Sequence, residues 1–588
     1  MRFSEFSKYL EKLEATTKRL EITTILSKLI KELDTDEIDK GIYLSLGYLK
    51  APFEKENFNI ADKMMIRIIA TAYDKREEEV SSIYNRLGDL GDTALEFAPE
   101  ESAQDPKLLD VYQSLMEIAV TQGSGSQDTK TVKTSDLLLS LNGLSAKYVI
   151  RIILGTTRLG FTELTIIDAL SDFLGQNKDA RVAIEEKYNM HPDIGLISKY
   201  IKKDGLKSLD KVGMETGVPV LAQKPQRLSD TKEIIQKMEG TAWAEYKLDG
   251  TRVQLHLDRG KKSTEKASQT ALFGEEILVR TFTRNLEETT HQFPDIVEAA
   301  KDQINAESVI LDGEAIGYDK KTGNFLTFQE IIKRKRKYDI GGMAKEIPLK
   351  YFVFDVLYRN GKALMDLPLV ERRQILNETI KPGGLIEVDY HEEITDPDEL
   401  MSFFERSKEK GLEGLVIKNP KSTYQAGARS FSWIKMKKGD SDLLADDFDC
   451  VILGYYFGKG SRSSFGIGGF LAGVYDVESD TFKSLTKVGT GLKDEDFAIF
   501  KQKADKISVD KKPENVDVKK GLYPDVWVRP EILVVLKADE ITVSPAHTSG
   551  YALRFPRFIG YREDKKPQDT TNTKEIDSLY KDQKRGYY

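Results

Sequence analysis

The segment Glu245-Tyr246-Lys247-Leu248-Asp249-Gly250-Thr251-Arg252 sets a lysine among an aspartate, a glycine and an arginine, directly ahead of the alternating run Val253-Gln254-Leu255-His256-Leu257. The run reads as a strand, so the lysine falls beside a strand end. An ordinary lysine is neutral in only about one molecule in 10³ at pH 7, so a nucleophilic one needs cationic neighbours or a metal to favour its free amine. Arg252 and a divalent ion would do both. Asp249 could orient the amine, and Gly250 would let the backbone turn tightly beside a nucleotide. Such a set serves phosphoryl or nucleotidyl transfer. A lone Lys-x-Asp-Gly is expected about 0.3 times in a chain of this length and composition, and requiring an arginine five residues after the lysine lowers that to about 0.02. No GxxxxGK[ST] phosphate loop lies near this lysine.

Further along, Leu311-Asp312-Gly313-Glu314 ends a predicted strand with a carboxylate, and Glu413-Gly414-Leu415-Val416-Ile417-Lys418 supplies another carboxylate followed by a lysine. Two carboxylates and phosphate oxygens suffice for Mg2+, which keeps waters and takes few protein ligands. Each acid taken alone fits a solvated strand end at least as well. Phe354, in Tyr351-Phe352-Val353-Phe354-Asp355, could stack on a base or belong to a core. Lys435 and Lys437, two apart in Trp433-Ile434-Lys435-Met436-Lys437, share one face of a strand and invite phosphate.

The elements that must position these groups change along the chain. Apolar residues at helical spacing (Phe6, Leu10, Leu13; Leu26, Leu29, Ile30, Leu33) predict a helical first third packed helix on helix. Within it Thr121 to Lys130 is rich in Gly, Ser and Thr, and could offer N–H groups and Lys130 to phosphates or be a plain connector. Gly217-Val218-Pro219-Val220 and Lys224-Pro225 break the helical pattern, which implies a boundary near 220. Beyond it lie short β-rich runs with intervening helices, as at Val370 to Leu376. After the polar break at Lys437 to Asp442, short strands with glycine corners suggest a small β-barrel. With 588 residues the chain exceeds one core. No apolar stretch is long enough to span a bilayer and no signal peptide is evident, so we expect a cytoplasmic protein with no membrane partner. The single Cys450 excludes an intramolecular disulfide framework and a four-cysteine zinc module. The net charge of −8 argues against a simple nucleic-acid coat, but 88 Lys and Arg leave room for basic grooves.

Taken in order, KLDGTR, TRNLE (Thr283 to Glu287), LDGE, YFVFD, EGLVIK, WIKMKK and the closing Arg554-Phe555-Pro556-Arg557-Phe558 resemble the ATP-dependent DNA ligases of the covalent nucleotidyltransferase superfamily. Size and arrangement are most similar to the archaeal and eukaryotic replicative type. The resemblance covers nearly the whole chain, and Gly155-Thr156-Thr157-Arg158-Leu159-Gly160-Phe161 is similar to part of their DNA-binding domain. It implies a multidomain fold: an all-α DNA-binding domain over 1–220, an α+β nucleotidyltransferase (adenylation) domain over 221–438 and a β-barrel OB-fold domain over 439–588. It also implies sealing of 5′-phosphate/3′-hydroxyl nicks in duplex DNA, in replication, recombination and repair, with ATP as AMP donor and Mg2+ or Mn2+ as metal. Lys247 would be the AMP-bearing nucleophile and Glu245 the adenine reader. Arg252 and Arg284 would contact nucleotide and nick phosphates, Glu314 the ribose or metal, and Glu413 the metal. Phe354 would stack on adenine; Lys418, Arg429, Lys435 and Lys437 would line the phosphate path; Arg554 and Arg557 would orient the leaving pyrophosphate. A monomer working on nicked DNA is implied, nucleoid-associated, with a sliding clamp as a candidate partner.

Arg284 is placed by its TRNLE context alone, since a polar insert at 259–276 separates it from Lys247. The basic run Lys333 to Lys337 reads as a DNA contact or equally as a solvated helix face. An NAD-dependent ligase shares KxDG but normally carries the zinc module that one cysteine cannot build. A capping guanylyltransferase, an RNA ligase and a DNA-binding scaffold with a dead transferase domain would share parts of the same pattern. RFPR, the helical front and the full set of site charges favour the DNA ligase.

Overall fold

The computed structural model describes residues 1–588 apart from 55, 102–103, 176–177, 263–276, 320–324, 327–346, 411, 438–446, 459–465, 563–564 and 586–588. Most of the 259–276 insert and the Lys333 to Lys337 run lie outside the described residues. The chain's contacts group it into two units. One holds Met1–Gln226, Ile235–Thr395 and Val416–Ile434, and the other holds Arg227–Ile234, Asp396–Leu415 and Lys435–Tyr588.

The first unit opens with helices from Phe3–Glu14 to Ile194–Asp204. Their apolar stripes are the ones the spacing predicts. Phe6, Leu10 and Leu13 point inward from the first helix, and Leu26, Leu29 and Ile30 from the second, Arg19–Glu32. Arg151 crosses this helical core at 1% side-chain exposure. Burial opposes its charge, but Asp89, Asp92 and Glu14 surround the guanidinium at 2.9–3.1 Å and keep it charged. Arg158 of the Gly155 to Phe161 loop turns to the same acid, 3.2 Å from Asp89. The Gly/Ser-rich stretch is shorter than its composition suggests. A helix starts at Ser126, and Lys130 is buried on it, donating to the Phe58 carbonyl at 2.6 Å; this corrects the reading of Lys130 as a phosphate grip.

After the helices the chain builds two sheets. The five-stranded one runs β1 (Lys224–Arg227), β11 (Arg429–Lys437), β10 (Gly414–Lys418), β2 (Ala242–Lys247), β9 (His391–Ile394). The six-stranded one has β4 (Ile277–Thr283), β3 (Thr251–Lys262), β5 (Ser308–Gly317), β6 (Leu349–Arg359) and β7 (Lys362–Ala363) in order, with β8 (Ile386–Val388) beside β6. The β3, β5 and β6 pairings are antiparallel, with Arg252 opposite Glu314 and Glu314 opposite Phe352. Alternate residues Val253, Leu255 and Leu257 fill the core, as their period of two requires.

The second unit carries an eight-stranded sheet around β12 (Phe448–Tyr456), with β13 (Gly469–Asp476) next to it and β14 (Thr481–Val488) beyond β13. β12 is buried on both faces: Phe448, Cys450 and Ile452 meet one cluster, Val451 and Leu453 another. Burial pushes the Cys450 thiol up, which leaves it inert.

Replacing Arg151 with Met strands three carboxylates in or near the helical core. We expect Arg151→Met to cost about 3 kcal/mol, read as a fall in the first thermal or urea transition of the full chain; an unchanged midpoint would mean the acids are solvated.

Candidate active site

Lys247 is the last residue of β2, and β3 begins at Thr251. Because β2 and β3 lie in different sheets, the stretch from Lys247 to Gly250 carries the chain from one sheet to the other. The tightness required of Gly250 comes from the protein itself, which revises its expected role beside a nucleotide. A Cβ there would lie 2.4 Å from the Ala315 carbonyl oxygen and 2.9 Å from Cγ of Glu314. Glu314 is therefore packed against the lysine's own turn. It lies within β5 and not at its end, because the strand runs on to Gly317.

Two residues before Lys247, Glu245 is 2% exposed. Each oxygen of its carboxylate has a cation: Arg373 Nη2 on Oε1 and Lys418 Nζ on Oε2, the latter at 2.5 Å. Arg373 also donates from Nη1 to the Asp389 carbonyl at 2.6 Å, which ties the loop before β9 to this pair. Lys418 is held between two rings, 4.5 Å from the centre of Phe354 and 4.4 Å from that of Trp433. Burial, with Arg373 alongside, pushes its ammonium down while Glu245 opposes the shift. Lys418 is thus buried against Glu245 and enclosed by two rings, a pairing its sequence context did not announce. Phe354 meets Trp433 edge to face at 5.8 Å and carries Arg252 5.3 Å from its centre. Its neighbour Asp355 is paired with Arg372 at 2.7 and 3.0 Å, both side chains fully buried.

Arg252 forms a fork-on-fork pair with Asp312, Nε to Oδ1 at 3.0 Å and Nη2 to Oδ2 at 2.6 Å. Its Nη1 donates to the Gln223 carbonyl at 2.8 Å, and the Tyr424 hydroxyl donates to Asp312 at 2.8 Å. Burial opposes the charge on Arg252, and Asp312 outweighs it. Around this pair stand Lys224, Arg284 and Arg429. Burial and the other cations push Lys224 down, and the same two causes, Arg252 and Arg429 foremost among the charges, push Arg284 down while Glu314 resists. Lys224 and Arg284 are thus depressed by the cations around them, and with Arg284 and Arg429 exposed this cluster can accept an anion.

In the second unit Lys437 and Glu413 approach to 3.3 Å, and Lys435 shares Lys437's half-buried face of β11 with Met436 buried opposite. Arg554 ends the strand Tyr551–Arg554 and pairs across a two-stranded ladder with Glu540 at 3.1 Å. Arg557 pairs with Asp539 at 2.5 Å. Between them Phe555 has φ 53° and is largely exposed, a conformation costly for an aromatic residue. Among the described residues no three His, Cys, Asp or Glu side chains cluster to hold a metal. A Mg2+ ion beside this turn would draw most of its ligands from phosphate and water, and Glu314 is a carboxylate of the first unit whose chemistry fits that role.

Sequence reasoning did not find Lys224, Arg372, Arg373, Asp389 or Tyr424. Arg372 and Arg373 look like the polar side of a helix in Val370 to Leu376. The signal available was that Glu245 and Asp355, in strands otherwise apolar, need buried cations from somewhere.

Three family models match in chain order: DNA ligase N terminus over residues 2–171, ATP dependent DNA ligase domain over 269–437, and ATP dependent DNA ligase C terminal region over 463–565. A probable DNA ligase of Dictyoglomus turgidum is 42% identical over all of this chain and 98% of its own length. The chain belongs to the ATP-dependent DNA ligase family. A DNA ligase of Sulfolobus acidocaldarius is 35% identical over 99% of the chain and 98% of its own length. Among solved structures, Pmar-Lig_PreS3 shares the fold at a TM-score of 0.56 and 17% identity, covering 95% of this chain and 99% of that one. The function of this ligase family is nick sealing in DNA, and its three parts match the helical front, the two-sheet centre and the C-terminal sheet described above. The match to the ligase middle domain begins after Lys247, so the lysine's role rests on its own surroundings. No helix among the described residues is long and apolar enough to cross a membrane.

Burial beside Glu245 raises the Asp389 carboxyl to about 8, with Arg373 and Lys418 pulling the other way. A raised acid contributes stability that is present below its unfolded value and lost as pH climbs through its folded value. We expect the thermal midpoint of the ligase to fall between about pH 4 and about pH 8, and Asp389→Asn to flatten that fall and exceed the parent at pH 9. Parallel curves for the two proteins would show that Asp389 titrates normally.

Proposed function

We propose that Lys247 is the nucleophile of an ATP-dependent nick-sealing reaction. Its amine attacks the α-phosphorus of ATP, a P–N bond forms as pyrophosphate leaves, and AMP is held on the lysine. An oxygen of the nick's 5′-phosphate then displaces the lysine to give a DNA-adenylate. The 3′-hydroxyl attacks that 5′-phosphate, AMP departs and the phosphodiester is closed. Charge neutralisation and positioning carry each step. The observation that supports this reading is the convergence, at one sheet-to-sheet turn, of the Lys247-bearing strand end, a fixed buried carboxylate at Glu245 and the Lys224/Arg252/Arg284/Arg429 set.

In this reading Glu245 faces the base, half-buried Phe354 stacks on it, and Asp249 orients the amine. Arg252 acts with Asp312 as a fixed charge beside the phosphates, while Arg284 and Arg429 meet them directly. Glu314 takes the ribose or a divalent ion, and Glu413, Lys435 and Lys437 serve metal and phosphate. A bound Mg2+ or Mn2+ would offset charge on the phosphate oxygens as the leaving group departs. Arg554 and Arg557 orient the pyrophosphate. The proposal keeps the three-domain division at 220 and 438, a monomer on nicked duplex DNA in the cytoplasm near the nucleoid, and a sliding clamp as partner.

Incubation with α-labelled ATP and a nicked duplex, followed by a denaturing gel, reads adduct and product together. Lys247→Ala is expected to lose both AMP labelling and sealing, whereas retained labelling would remove the lysine from this role. Arg554→Ala or Arg557→Ala should impair self-adenylation more than the sealing of a pre-adenylated nick, and equal loss in both assays would refute their assignment to the pyrophosphate.

A further inference from the structure

A carboxylate at 2% exposure ordinarily carries a large desolvation cost, and Glu245 meets it with two cations, one per oxygen. That arrangement does more than neutralise. A carboxylate with one partner can swing about its side chain; one held at both oxygens cannot, and its remaining lone pairs are held in fixed directions toward whatever approaches. The two cations are themselves held by unrelated elements. Arg373, on the helix Leu369–Thr379, is also tied to the Asp389 carbonyl. Lys418 ends β10 and lies between the rings of Phe354 and Trp433. Asp389, with its carboxyl raised to about 8 by burial and by Glu245, does not compete for them at neutral pH. Beyond its ion pair with Glu245, Lys418 Nζ has no acceptor among the described residues, and Arg373 Nε has none either. A fixed acceptor therefore sits next to a spare buried N–H, which matches a base edge carrying an amino donor next to a ring-nitrogen acceptor.

We infer that Arg373 and Lys418 are positioning residues for base selection, fixing Glu245 so that it takes an N–H from the 6-amino group of adenine. The inference rests on the reading of Lys247 as the adenylated residue, and labelling of the parent enzyme by ATP is the control for that reading. The probe pair is ATP and purine riboside triphosphate, which differ only in the 6-amino group. The measurement is kcat/KM of lysine labelling for each.

The parent should prefer ATP. In Arg373→Gln and in Lys418→Gln that preference should shrink by about tenfold or more, as expected when a charged hydrogen bond loses its geometry. A role in folding alone would lower both nucleotides equally, and that result would overturn the proposal. Arg373→Lys keeps the charge but cannot hold Glu245 and the Asp389 carbonyl together, so its preference should fall to an intermediate value. An unchanged preference in Arg373→Lys overturns the proposal even where the glutamine variants fail to fold. Failure of the parent to label at all would instead count against the lysine.

Discussion

Asp312 lies in the middle of a sheet at 1% exposure, and an ionised carboxylate there costs several kcal/mol unless it is met with good geometry. Arg252 meets it with a two-point fork from the neighbouring strand, and Tyr424 adds a third contact from a distant loop. Three segments far apart in sequence are therefore joined through one carboxylate. The same fork takes the Gln223 carbonyl and so fixes the chain leading into β1, where Lys224 stands. The position of the surrounding cations follows from this pair. With Arg252 fixed, Arg284 and Arg429 must tolerate its charge. Burial and this repulsion together depress Arg284, and the repulsion is released when an anion binds among them.

A second buried carboxylate repeats the logic beside the lysine. Glu245 is joined to Arg373 and Lys418, and Asp355 to Arg372, so adjacent arginines of one helix serve two acids on two strands. Such pairs add little net stability over apolar packing, but removing one partner is expensive. They specify where β2, β6 and the helix must sit relative to one another. A nucleotidyl-transfer site needs that kind of rigidity, because its rate depends on holding phosphorus and amine in line.

Much of the site is legible in the amino-acid sequence. Residue type, spacing and period are enough to place Lys247 at a strand end, Arg252 after it and the alternation of Lys435 and Lys437, and Phe6, Leu10, Leu13 and their counterparts mark out the helical front. Local readings fail where a charge turns inward. Lys130 sits in a stretch whose composition suggests an exposed loop, yet it caps a carbonyl in the core. Lys418 closes a strand that reads as apolar, yet it is buried and paired with Glu245. Gly250, expected to make room for a nucleotide, makes room for β5.

The sequence by itself determined the helical front, the main strand runs, the order of the motifs and the residues that flank Lys247, because hydrophobic period and local turn chemistry act over a few residues. Only the tertiary structure decided which cation meets which carboxylate. That choice depends on desolvation, which exists only after distant strands have packed and shut water out. Arg373 and Glu245 are 128 residues apart, and nothing in the local pattern of either names the other.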